Sequence, residues 1–184
     1  MKRLLVGVML ACLLTGCVSK VKPDFEMKAD SSKGVMIVSV TASGSIPGGL
    51  VFHFRPVGTG GSLQPHTIQL FAHKDEIDWP VLKSAPDQPA GRLAILELPP
   101  GQYEFYLWAG HAGGMSVSNA TQFSKRFEIR AGEAVYLGNL HLKRARGEQM
   151  FTLFTGDRRD RDFPLLATKL PNVPPEKIAV RLLK

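Results

Sequence analysis

Leu98-Pro99-Pro100-Gly101-Gln102-Tyr103-Glu104-Phe105-Tyr106-Leu107-Trp108 is the stretch that decides the fold. Two prolines and a glycine can continue neither a helix nor a central strand, so Pro99-Pro100-Gly101 is a turn. Residues 102–108 alternate with the period of a half-buried strand. Tyr103, Phe105 and Leu107 fall on one face, and Glu104, Tyr106 and Trp108 on the other. Residues 92–98, upstream of the turn, alternate in the same way.

On both sides of this stretch the same pattern recurs. Residues 35–41 form a β-branched run, 43–49 a turn, and 50–55 a strand with Leu50, Phe52 and Phe54 on one face. Residues 67–72 read as a further strand, and 73–90 as an irregular excursion carrying prolines and Trp79. After Trp108 come a glycine-rich loop at 110–122, strands at 123–130 and 133–142 around Ala131-Gly132, and a strand at 149–154. Residues 157–170 have an acidic start, Pro164 early and Pro171 just after, the pattern of one short helix, and 178–183 read as a closing strand. About seven to nine short strands with regularly spaced turns predict a mainly β chain, an antiparallel β-sandwich with one short C-terminal helix. A closed barrel is the alternative. The strands carry no lipid-facing apolar band, which argues against a membrane barrel.

The N-terminus has another character. Lys2 and Arg3 precede an apolar run from Leu4 to Leu14, which is shorter than the ~20 residues a spanning helix needs and fits a secretory signal. Its end, Leu14-Thr15-Gly16-Cys17, resembles a bacterial lipobox. The resemblance implies cleavage before Cys17 and acylation of that cysteine, and several acyl chains hold a protein on a bilayer durably. Val18 and Ser19 come next, with no Asp after the cysteine, and by analogy with enterobacterial sorting this points to the outer membrane, facing the periplasm. The expected organisation is a signal over 1–16, a flexible tether over 17–33, and a β-sandwich domain over 34–184 with a helical appendage near 157–170. Cys12 leaves with the signal and Cys17 is taken by lipid, so no disulfide is expected.

The formal net charge is +7, and +5 once Lys2 and Arg3 are removed. Lys143-Arg144-Ala145-Arg146 is the densest basic cluster, but it is short and lacks interleaved aromatics, so no nucleic-acid partner is expected. His53, His66, His73, His111 and His141 form no close pair of zinc-ligand spacing. Asp157, Asp160 and Asp162 alternate with Arg158, Arg159 and Arg161, which reads as ion pairing along a helix rather than a calcium loop. No nucleophile elbow or dinucleotide fingerprint is present in the sequence. The expectation is a non-catalytic protein with neither metal nor cofactor.

Leu98-Pro99-Pro100-Gly101-Gln102-Tyr103, continued by Phe105 and Leu107, resembles a hairpin of prealbumin-like (transthyretin-like) domains. Residues 127–138 (FEIRAGEAVYLG) are similar to a second signature in a group of bacterial lipoproteins with that fold. The resemblance covers residue 35 to about 154 and implies fold more than activity. Two functions are expected. One is an envelope lipoprotein that binds another envelope protein in an assembly or accessory role. The other is a glycan- or peptide-binding module using loops 58–64 and 110–122 at one end of the sandwich. Tyr106 and Trp108 are the candidate binding residues, because an outward strand face that turns aromatic is either a ligand platform or is covered by residues 73–90.

Overall fold

The computed structural model describes residues 19–21, 24–43, 48–58, 66–69, 81–82, 90–112, 115–119, 121–144 and 151–184. The chain runs through β1 (Ser19–Lys20), β2 (Gly34–Ser43), β3 (Gly48–Pro56), β4 (His66–Gln69), β5 (Val81–Leu82) and β6 (Ala90–Leu98). It continues through β7 (Gly101–Ala112), β8 (Met115–Ser118), β9 (Lys125–Ile129), β10 (Ala134–Arg144) and β11 (Phe151–Gly156). Helix α1 (Arg159–Lys169), a 3-10 turn at Pro175–Lys177 and β12 (Ile178–Val180) complete it.

Two sheets form a sandwich. The larger has the order β1-β6-β2-β10-β11, with β5 also on β6 and β12 also on β10. The smaller has the order β4-β3-β7-β8, with β9 also on β7. Pairing is antiparallel apart from β2–β10 and β10–β12, which are parallel. The parallel pair has a simple origin. From β9 the chain turns through Ala131-Gly132 and re-enters the larger sheet at the end where β2 begins, with Gly132 N donating to Lys33 O (2.9 Å) and Val35 N to Glu133 O (2.8 Å). Gly132 has φ +68°, and a Cβ there would lie 2.6 Å from Ala29 O, so the turn and the passing N-terminal segment both require glycine.

The Leu98–Trp108 stretch is a corner rather than a hairpin. β6 belongs to the larger sheet and β7 to the smaller, so Pro99-Pro100 carries the chain across the core. Tyr103, 3 % exposed, donates its hydroxyl back to Pro99 O at 2.9 Å and clamps that crossing. Its ring stacks on Phe127 (5.5 Å), beside Phe54 and Phe105. The alternation of β3 is realised, with Leu50, Phe52 and Phe54 buried between the sheets and Arg55 exposed. Within residues 110–122, expected as a loop, 110–112 instead extend β7 and 115–118 form β8, pairing Gly110 with Val117.

A second core lies on the outer face of the larger sheet. Val35, Ile37, Ile95 and Tyr136 meet Leu166 of α1 and Leu170, the residue that ends it. Asp162, Leu166 and Leu170 recur at i, i+4, i+8, which turns them to one helix face. Val21, Phe25 and Met27 also pack there, and Ser19 and Lys20 pair with Glu97 and Leu96. Within the segment expected as a free tether over 17–33, the described residues Ser19, Lys20, Val21, Phe25 and Met27 thus pair with or pack on the fold. Half-buried, the Val21, Phe25 and Met27 side chains each gain part of the ~1.5–3 kcal/mol of a fully buried one, which a polar linker would not.

Candidate functional site

Tyr106 and Trp108 do not share a face. His53 pairs with Leu107 and Phe54 with Phe105, which leaves Tyr106 as the extra residue of a β-bulge. One inserted residue reverses the alternation beyond it. Trp108 therefore turns inward, 4 % exposed, with its ring edge-on to Phe151 at 5.3 Å. Leu107, expected inside with Tyr103 and Phe105, is half-buried. The opposite sheet covers Trp108. Trp79 and most of the 73–90 excursion lie outside the described residues.

Tyr106 stays on the outer face of the smaller sheet, half-buried beneath the Arg55 guanidinium, whose central carbon is 4.3 Å from the ring centroid. Arg55 also donates to Glu104 (Nε–Oε1, 2.9 Å), and Ser124 Oγ donates to the other carboxylate oxygen at 2.7 Å. The Ser124 bond, then Arg55, hold the Glu104 carboxyl below its usual range. His53, 6.4 Å from Tyr106, is pushed towards its neutral form by burial.

A polar belt runs beneath α1, joining Asp162, for which the sequence predicts only ion pairing along the helix, to the sheet. The buried Asp162 carboxylate takes the Tyr136 hydroxyl (2.7 Å) and Arg161 Nε (2.7 Å), with Ser39 Oγ at 2.7 Å. Asn139 Oδ1 lies 2.9 Å from Ser39 Oγ and accepts from Thr41 Oγ1 at 3.1 Å. Beyond it, His141 has Thr41 Oγ1 at 2.9 Å from Nδ1 and Ser43 Oγ at 3.0 Å from Nε2. Burial first, then Arg158, Arg161 and Lys143, keep His141 neutral-leaning. Burial and the Asp162 bond push the Tyr136 phenol well above its ordinary range. The belt pins α1 to the sheet. Asp157 and Asp162 do pair with neighbouring arginines, as the interleaved sequence predicts. The inward turn of Asp162 is legible in its i, i+4, i+8 spacing with Leu166 and Leu170.

The third feature is the far edge of the larger sheet. The large apolar side chains exposed among the described residues are Phe154 (49 %), Val180 (39 %) and Leu182 (38 %), and all three lie there. β10 carries both partners on this edge, β12 and residues 181–183 first, then β11. They meet at Gly138 (φ +89°), where a Cβ would lie 2.6 Å from Gly156 O and 3.2 Å from Leu182 Cδ2. Lys143 and Arg158, both exposed, flank Phe154 and act on its neighbour His141.

Cys17 lies outside the described residues, with Val18 alone between it and β1. Loops 58–64 and 110–122, expected at one end, leave opposite ends of β7. Val57 N bonds Gln102 O at the start of that strand, and the β7–β8 turn comes after its last residue, Ala112. Residues 59–65 themselves are outside the description. Among the described residues no group of three or more His, Cys, Asp or Glu could hold a metal ion, and no helix is long and apolar enough to cross a membrane. In comparisons with known proteins, no family model and no curated protein matches the chain.

Proposed function

We propose that the protein is a lipid-anchored envelope lipoprotein, held through Cys17 on the outer membrane and facing the periplasm. Its β-sandwich binds another envelope protein in an assembly or accessory role and performs no chemistry of its own. Leu14-Thr15-Gly16-Cys17 supports the anchor. The observation that carries the binding role is the gathering of Phe154, Val180 and Leu182 on one sheet edge, since clustered exposed apolar side chains mark interaction surfaces. A prealbumin-like assignment fits the same role. The docked N-terminal segment adds that the domain rides close to the bilayer. Two Cα steps from Cys17 to Ser19 span about 7 Å.

The test is affinity purification of the lipidated protein from crosslinked membranes. A protein co-purifying at fixed ratio supports the reading, whereas glycan fragments without protein count against it. In parallel, Cys17→Ala abolishes incorporation of labelled fatty acid. Normal labelling and maturation of that variant would refute the anchor.

A further inference from the structure

Strand β11, Phe151-Thr152-Leu153-Phe154-Thr155-Gly156, closes one edge of the larger sheet, and among the described residues no strand pairs with its outer side. Sheet edges present a row of unmatched N–H and C=O groups, and proteins usually blunt them by shortness, charge, proline or bulges. The other edges here follow that rule. β1 and β5 have two residues each, β4 and β8 four each, and β9 carries Lys125, Arg126 and Glu128. β11 has none of these devices. It is six residues long, contains no charge and no proline, and pairs with β10 in unbroken register from Asn139–Gly156 to Arg144–Phe151. Its outward side chain Phe154 is the most exposed large apolar residue described.

We propose that β11 accepts an extended, acidic segment of a partner protein as an added strand. The inference rests on the reading of the protein as a binding subunit, and assigns the site and the chemistry of what it binds. Main-chain bonds along β11 supply affinity, and Phe154 provides an apolar contact for a side chain of the incoming strand. Charge selects the occupant. Lys143 pairs with Thr152 across the ladder and Arg158 lies just past the end of β11, and neither is held in an ion pair among the described residues. A second copy would bring the same cations against themselves, whereas an acidic strand complements them and the net charge of the chain. A bilayer is disfavoured by geometry. β1, next to the anchor, and β11 are opposite edges of the sheet, four strand spacings or about 19 Å apart.

The test places a photoreactive phenylalanine analogue at Thr152 in the full chain, in cells, with Arg126 on β9 and Tyr106 as comparison positions, and maps each adduct by mass spectrometry. The expected result is a Thr152 adduct to a segment of another protein rich in Asp and Glu. Lys143→Glu with Arg158→Glu should lower its yield about tenfold while leaving the melting temperature of these exposed-site variants unchanged. Adducts to a second copy, to phospholipid or to a non-acidic segment overturn the proposal, as does a yield insensitive to charge reversal. Partner adducts from Tyr106 or Arg126 with none from Thr152 overturn it too, and leave the binding role standing. No protein adduct from any position overturns both.

Discussion

The two sheets of the sandwich share a core but differ on their outer faces. The larger is covered by α1 and the N-terminal segment, so β2 is buried at nine successive positions from Gly34 to Ala42. The smaller keeps the alternation of a sheet with one face in solvent, as β3 shows. Both outer faces carry polar groups joined by hydrogen bonds, Ser39, Asn139, Tyr136 and Asp162 on one, and Arg55, Glu104 and Ser124 on the other. Under α1 water cannot replace a lost partner, and on the open face it can. Equal bond lengths therefore carry very different weight.

The difference is broken most directly at Asp162. Asp162→Ala strands Tyr136, Ser39 and Arg161 and is expected to cost about 4 kcal/mol in urea unfolding, the scale of a buried ion pair deprived of one partner. A loss below ~1 kcal/mol would mean that water reaches the belt and the two faces are alike. Tyr103→Ala comes next, about 3 kcal/mol for an aromatic removed from the core. Tyr103→Phe should cost about 1 kcal/mol, the bond to Pro99 O alone.

Across the bulge, Tyr106→Ala should cost less than about 1 kcal/mol. Trp108, observed in a Trp79→Phe background, should emit blue-shifted light that iodide quenches poorly. Red-shifted, readily quenched emission would return Trp108 to the outer face and abolish the bulge. The smallest effect belongs to Glu104. Its folded pKa is depressed, so its contribution is full above the ordinary carboxylate value and fades as pH falls through the folded one. Glu104→Gln should lower stability slightly at neutral pH, leave it unchanged at low pH where the carboxyl is already protonated, and so flatten the acid limb. An altered slope above pH ~6 would contradict the assignment.

These contrasts also mark what the sequence made legible. Strands with local alternation, such as Leu50-Val51-Phe52-His53-Phe54, declare both their existence and their buried face. The helix over 159–169 is announced by its acidic start and by Pro171 just past its end, while Pro164 lies inside it. The face of Trp108 was not legible, because the bulge depends on how β7 meets β3 and nothing in residues 103–108 encodes it. The docking of the N-terminal segment was hidden because Val21, Phe25 and Met27 are thinly spread among charges. The polar belt left a trace in Ser39, Thr41 and Ser43 at period two, but its partners come from β10 and α1, far along the chain. For the candidate edge, the apolar, uncharged run of β11 was visible, while its position at the margin of the sheet was not.

The parallel pairing of β2 with β10 has a consequence for time rather than structure. Ser39 must find Asn139, 100 residues later, before the middle of the larger sheet can close. Contacts so distant in sequence make folding slow, in the millisecond-to-second range for such β topologies. A chain growing from its N-terminus thus carries β2, apolar on one side and in the first half of the other, with one edge unmatched until residues 134–144 emerge, and uncovered until α1 is made. Over that interval the strand most deeply buried at the end is the one most exposed to wrong partners, and a pulse of amide labelling during refolding should find β2 among the last strands to be protected.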